Sequence, residues 1–121
     1  MPTLAALVGV EDATAGPFEE PRDGCGKRVV SEDAAAQASM YRLQPGCRVP
    51  AHLHTRSDDL FIGVRGEVQV RVEGAAPFVL RAGGCCRVSR GARHEVVNAS
   101  RTDAAFFVLV HAPYEGFDKA P

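Results

Sequence analysis

The stretch GCRVPAHLHTRSDDLFIGVRG, residues 46–66, decides how the rest of the chain is read. Glycines bound it, and it holds two short candidate strands, Arg48–His52 and Asp59–Val64. In an extended chain successive side chains point to opposite faces, so His52 and His54 project to the same side. Two imidazoles on one face can share a metal ion, and a carboxylate on the neighbouring strand can add a third ligand. Asp58 and Asp59 both stand at the mouth of that strand, and either serves by position. If Phe61 lines a cavity, parity places Asp59 and Gly63 on the inward face with it. Leu60, Ile62 and Val64 then face outward with Asp58. Gly63, having no side chain, is expected to leave open space near the histidines.

A second glycine-bounded stretch, GGCCRVSRGARHEVVN at residues 83–98, carries His94 at the start of a strand after a turn at Gly91. From across a barrel His94 can deliver a further ligand. Asn98 reads as a hydrogen-bonding residue at a turn or strand end.

Outward from these two stretches the chain alternates short strands with Gly and Pro. Further candidate strands are Lys27–Val30, Ala38–Leu43, Glu67–Glu73, Phe78–Arg81, Cys85–Ser89, His94–Asn98 and Ala105–His111. Within Glu67–Val72 the valines Val68, Val70 and Val72 share one face and Glu67, Gln69 and Arg71 the other, as in a half-buried antiparallel strand. Ala105–Val110 is apolar on both faces, as expected of a central, covered strand. Helical periodicity is scarce. SEDAAAQA, residues 31–38, has a possible N-cap in Ser31 but is short, and reads as a turn running into a strand. Closely spaced strands with turn signals predict an all-β sandwich or barrel. Residues 1–26, broken by Gly16-Pro17, Pro21 and Gly24-Cys25-Gly26, read as an irregular segment that drapes over the barrel or contacts a partner subunit. Residues 27–121 form the barrel domain.

Composition agrees with one ordinary globular domain. The 121 residues are 45% hydrophobic and 24% charged, and 14 basic against 15 acidic side chains leave a net charge of −1. Nothing here favours nucleic acid or an anionic membrane as partner. No stretch approaches the roughly 20 apolar residues that span a bilayer. MPTLAALVGVEDAT at the start has no basic region before its apolar run, so a secretory signal is not expected and the chain reads as cytoplasmic. Cys25, Cys47, Cys85 and Cys86 show no C-x-x-C spacing and are expected to be reduced and packed as small hydrophobes.

The two stretches resemble the two signature motifs of the cupin superfamily. The first motif, G-x5-H-x-H-x3–4-E-x6-G, matches Gly46 to Gly66 with Asp59 in the glutamate place. The second, G-x5-P-x-G-x2-H-x3-N, matches Gly83 to Asn98 with Ser89 in the proline place. Only 16 residues separate Gly66 from Gly83, which resembles the compact single-domain form. The resemblance implies a double-stranded β-helix, or jelly-roll barrel, and a divalent transition metal (Fe, Mn, Ni, Zn or Cu) held by His52, His54, Asp59 and His94. It also implies a homodimer, with residues near the N-terminus contributing. Aspartate for glutamate shortens the carboxylate arm by one methylene, so Asp59 binds directly, through water, or not at all. Ser89 for proline loosens the turn before Gly91.

Small cupins include dioxygenases, decarboxylases, sulfur-compound lyases, sugar isomerases and epimerases, and cyclases, and others only bind ligands or sense metals and oxidants. Fold does not choose among them. The leading expectation is a metal-dependent enzyme (lyase, isomerase, cyclase or dioxygenase) acting on an oxygen-rich small molecule, with secondary metabolism as one setting. The alternative is a non-catalytic metal- or ligand-binding sensor module. An open metal facing a pocket with Arg, Tyr or His favours the enzyme, and a cavity sealed by apolar side chains favours the sensor. Catalytic groups beyond the ligands are weakly marked. His111 ends the last strand and reads as an exposed rim residue, with acid–base catalysis as the lesser alternative. Tyr41, Arg42 and Arg48 read as solvated, although one of them could clamp an acidic substrate.

Overall fold

Alternating apolar residues become two facing antiparallel sheets in the computed structural model, which describes residues 11–114 and 119–120. The opening run of residues 1–10, with the secretory-signal reading and part of the 1–26 segment, lies outside the described residues. The strands are β1 (Glu19–Arg22), β2 (Cys25–Glu32), β3 (Gln37–Leu43), β4 (Arg48–His54), β5 (Asp58–Arg65), β6 (Glu67–Val72), β7 (Phe78–Arg81), β8 (Cys85–Val88), β9 (His94–Val97), β10 (Ala105–Ala112) and β11 (Lys119–Ala120). One sheet runs β1-β2-β3-β10-β5-β8 and the other β11-β4-β9-β6-β7. Consecutive strands repeatedly cross between the sheets, so the architecture is the all-β double-stranded β-helix, or jelly roll.

Every strand anticipated from alternation is present, with ends shifted by a few residues. β1 and β11 are additional. Residues 31–38 contain no helix: β2 ends at Glu32, and Asp33 Oδ1 accepts from the amides of Ala35 (2.8 Å) and Ala36 (3.1 Å) to make the turn into β3. β10 lies between β3 and β5, which explains why it is apolar on both faces.

The core forms where the inner faces meet. Leu43, Phe61, Val68, Val70, Leu80, Val88, Val96, Ala105 and Phe107 are buried together, so every valine of the clean β6 pattern except the half-buried Val72 lies in it. Burying such side chains stabilises by about 1.5–3 kcal/mol each before entropy is counted. Of the cysteines, Cys25 is buried, Cys47 and Cys86 are half-buried, and Cys85 is exposed; all four are free thiols. Cys85 therefore departs from the expectation of packed thiols, because neighbours on β8 face opposite sides.

The parity read for β5 holds: Asp59, Phe61 and Gly63 are buried, while Ile62 on the other face is 37% exposed. The purpose assigned to Gly63 does not hold. A Cβ there would collide with the carbonyl oxygen of Arg81. The Gly63 amide donates to Gly84 O and its carbonyl accepts from the Gly83 amide, both at 2.9 Å. Gly63 is small because the corner between β7 and β8 presses on it.

Asn98 is fully buried and ties three segments together. Its Nδ2 donates to Leu43 O and Asp103 O, both at 2.9 Å, and its Oδ1 accepts from the Ser100 amide at 3.0 Å. The anticipated role as a strand-end hydrogen-bonder is what the structure contains.

Candidate metal centre

β4 and β9 pair so that His52 lies directly opposite His94. β5, in the facing sheet, turns Asp59 inward toward them. One ligand atom from each of His52, His54, Asp59 and His94 falls within 4.8 Å of the others, and all four residues are buried. The ring centroid of His52 is 4.9 Å from that of His54 and 4.6 Å from that of His94.

The hydrogen bonds behind the rings set their orientation. His52 Nδ1 faces the Pro50 carbonyl at 2.7 Å and His94 Nδ1 faces the Ala92 carbonyl at 2.9 Å. A carbonyl oxygen only accepts, so Nδ1 donates in both rings and Nε2 is left for the centre. His94 Nε2 then stands 3.1 Å, and His54 Nε2 3.5 Å, from Asp59 Oδ2. An imidazole lone pair and a carboxylate oxygen repel at that range unless a positive charge joins them, either a ring proton or a cation bound by both. Donors about 2.1 Å from one ion and at right angles lie about 3.0 Å apart, so the spacing suits a shared ion. Three imidazole nitrogens and a carboxylate oxygen are a donor set for a divalent transition metal and do not select among Fe, Mn, Ni, Zn and Cu.

Asp58 plays a different part. Its Oδ1 accepts from the Arg90 amide at 2.8 Å and from Arg90 Nε at 3.1 Å, holding the Ser89–Ala92 turn that precedes His94. Gly91 occupies that turn at φ +82°, a conformation glycine adopts without strain. The turn closes with the Ala92 amide donating to Ser89 O at 3.1 Å, so serine serves in the proline place.

His111 is a correction to the sequence reading. It is 2% exposed rather than a rim residue. It lies opposite Asp59 in the β10–β5 register, and its Nδ1 approaches Asp59 Oδ1 to 2.5 Å. Burial alone would raise the Asp59 carboxyl. The contacts with His111 and His94, together with the charge of nearby His54, outweigh burial and hold it down at about 2. The carboxylate is therefore ionised through the whole physiological range, as a metal ligand must be.

A cavity of about 230 Å³ opens from the cluster. Val49, Phe61, Val96, Phe107 and Leu109 give it apolar walls, and Tyr41, His111, Arg22, Lys27 and Cys25 also line it. Tyr41 is stacked on Phe107, centroids 5.2 Å apart. Burial first, then the nearness of Cys25 and Asp59, raises its pKa, so the phenol keeps its proton at any ordinary pH and acts as a donor. Arg42 and Arg48 do not reach the cavity. Arg42 pairs with Glu20 at 3.2 Å and covers the Phe18 ring at 4.5 Å, and Arg48 lies 3.7 Å from Glu95 at the surface. Arg22 and Lys27 were not anticipated as lining residues. The available signal was parity: Lys27 follows Cys25 by two on β2, a basic side chain on an inward face.

The cupin domain family model matches residues 39–110, more than half of the chain. No curated protein matches by sequence. A conserved protein with a double-stranded β-helix domain from Klebsiella pneumoniae superposes with a TM-score of 0.77 at 23% identity, covering 93% of this chain and 96% of that one. KdgF from Halomonas sp. gives 0.75 at 18%, covering 84% and 92%. A sugar phosphate isomerase of the cupin superfamily from Silicibacter pomeroyi gives 0.68 at 19%, covering 76% and 61%. At these identities the likeness is one of fold. Among the described residues no helix is long and apolar enough to cross a membrane. With the family model spanning β3 to β10 and the double-stranded β-helix closed around the cluster, the chain belongs to the cupin domain family.

Proposed function

We propose that the protein is a metal-dependent enzyme acting on an oxygen-rich small molecule, with His52, His54, Asp59 and His94 holding one divalent transition metal. The observation that carries this reading is the convergence of three buried imidazoles and an ionised carboxylate on a cavity that also contains Tyr41, His111 and Arg22. A sealed apolar chamber would suit a passive sensor, whereas polar groups that can bind and move protons suit catalysis. The ion, when bound, supplies Lewis-acid polarisation of a ligand oxygen, or dioxygen chemistry if it is redox-active.

The chain's own residues do the remaining work. Pro50 and Ala92 carbonyls orient the rings of His52 and His94. Phe61, Phe107 and Leu109 give the cavity an apolar wall. Tyr41, protonated and on the cavity wall, offers its phenol as a donor to a bound ligand. His111, against Asp59 Oδ1, steadies the carboxylate and is the nearest imidazole outside the ligand set, a candidate to hold a proton beside the substrate. Lyase, isomerase or cyclase chemistry through an enol, or dioxygenation, fits this equipment. The isomerase from Silicibacter pomeroyi supports only the point that the fold can host catalysis on a sugar phosphate.

Elemental analysis of purified protein tests the reading, with about one metal per chain expected. His52→Ala and His94→Ala are each expected to lose stoichiometric metal. Full occupancy in the His52→Ala, His94→Ala double variant would show that the site is elsewhere. Metal-loaded protein that turns over nothing in a panel of enols, catechols and sugar acids, yet binds one of them, would favour the sensor module.

A further inference from the structure

Asp59 has the short arm of an aspartate, and its own rotamer does not fix which oxygen turns toward the histidines. The terminal torsion of an aspartate is broad, so a carboxylate on a rigid strand can still swing its plane. Contacts on both oxygens remove that freedom here. Oδ2 meets the cluster, 3.1 Å from His94 Nε2 and 3.5 Å from His54 Nε2. Oδ1 is met by His111 Nδ1 at 2.5 Å. Two bare lone pairs repel at that separation, so the ring carries a proton at Nδ1 and donates to the carboxylate. His111 is itself held firmly. β10 runs between β3 and β5, and the register sets Gln37, His111 and Asp59 side by side across the three strands. Its buried ring stands edge-on to that of His54, centroids 4.2 Å apart, so it borders two members of the cluster. It is not one of the residues whose ligand atoms all lie within 4.8 Å of one another; those are His52, His54, Asp59 and His94.

We propose that His111 is a positioning residue for the metal site: by holding Oδ1 it commits Oδ2 of Asp59 to the ion, and affinity for a divalent transition metal depends on it through Asp59. This rests on the metal reading of His52, His54, Asp59 and His94, and adds the residue that makes a short carboxylate an effective ligand there. A hydrogen-bonded partner behind a ligand orients it before the ion arrives, so binding does not have to order it. Loss of such a partner typically costs about 10–100-fold in metal affinity.

Affinity for Zn(II) and Co(II), measured by competition with a chromophoric chelator, tests this. The proteins compared are wild type, His111→Asn, His111→Leu, Asp59→Ala and the Asp59→Ala, His111→Leu double variant. His111→Asn places an amide N–H near the position of Nδ1, whereas His111→Leu fills the space with no donor. His111→Leu is expected to weaken both metals about tenfold or more, and His111→Asn to keep most of the wild-type affinity. Once Asp59 is gone, His111→Leu should cost nothing further, because the contact it removes no longer exists. The visible bands of the Co(II)-loaded protein should shift in His111→Leu and stay near wild type in His111→Asn. Urea unfolding of chelator-treated protein shows that each variant is folded; His111→Phe, which keeps the ring, replaces His111→Leu if that one is not. Unchanged affinity and unchanged bands in the variant without a donor would overturn the proposal. So would an equal loss in His111→Asn, which would point to bulk and not to the donor. A cost of the same size with and without Asp59 would also overturn it, by making His111 a ligand in its own right. Wild-type protein that binds neither metal would overturn the metal reading and this proposal together, whereas tight metal binding indifferent to His111 would overturn this proposal alone.

Discussion

Asn98 offers the sharpest test of how the barrel is held closed. Asn98→Ala removes two donated hydrogen bonds, to Leu43 O and Asp103 O, and one accepted from Ser100 N. Each is worth about 1 kcal/mol net, and a buried carbonyl left without a donor costs about 1–3 kcal/mol. Leu43 is 0% exposed, so water does not readily replace the lost donor. The expected loss is about 3 kcal/mol. For 121 residues the unfolding entropy near the midpoint is about 0.25 kcal/mol/K, which makes the shift roughly 12 °C in Tm. Asn98→Asp keeps the shape but turns a carboxylate oxygen toward two carbonyls. At pH 7 it should be worse than alanine. Its carboxyl pKa is then raised in the folded state, so stability should return as pH falls and the group gains a proton. Urea unfolding in chelator at pH 7 and pH 5 measures both effects. Variants within 1 kcal/mol of wild type, or an aspartate variant no worse than alanine and indifferent to pH, would refute the reasoning.

Asp59→Glu should keep or tighten metal binding and Asp59→Ala should weaken it, whereas Asp58→Ala should loosen the Arg90 turn with a small effect on metal; equilibrium dialysis separates these, and metal loss confined to the Asp58 variant would reverse the assignment. Gly63→Ala should cost about 2 kcal/mol or more in urea unfolding, because its Cβ meets the Arg81 carbonyl; an unchanged midpoint would restore the view that Gly63 faces open space. Asp59, held near 2 in the fold against an ordinary 3.8, contributes stability that is present above about pH 4 and lost as pH falls toward 2. In metal-free protein the gap between wild type and Asp59→Asn should therefore narrow by about 2 kcal/mol over that window, and a constant gap would contradict the contacts described. We also propose a homodimer in which residues 1–26 take part; sedimentation giving a monomer across micromolar concentrations would remove that idea.

Local features of the chain were legible as sequence because they depend on alternation and spacing alone. Val68, Val70 and Val72 mark a strand with one dry face. His52-Leu53-His54 puts two imidazoles on one side, and the glycine frames of residues 46–66 and 83–98 mark the turns that deliver Asp59 and His94. Parity along β5 separated Asp59 from Asp58 on the single assumption that Phe61 faces inward, since period two leaves no other choice once that is granted. Tertiary structure decided what faces what across strands far apart in the chain. Gly63 looked like open space because sequence does not reveal that the β7–β8 corner, some twenty residues on, lays the Arg81 carbonyl against it. His111 looked like a rim residue because it ends a strand, yet the β10–β5 register sets it directly opposite Asp59 and buries it. Arg22 fell in a segment read as irregular and Lys27 opened a candidate strand without drawing attention, while Arg42 did draw it, although it lies one position out of phase with the inward face of β3. Alternation tells which residues share a face; only register and sheet packing tell whether that face meets water, a carbonyl or a cavity.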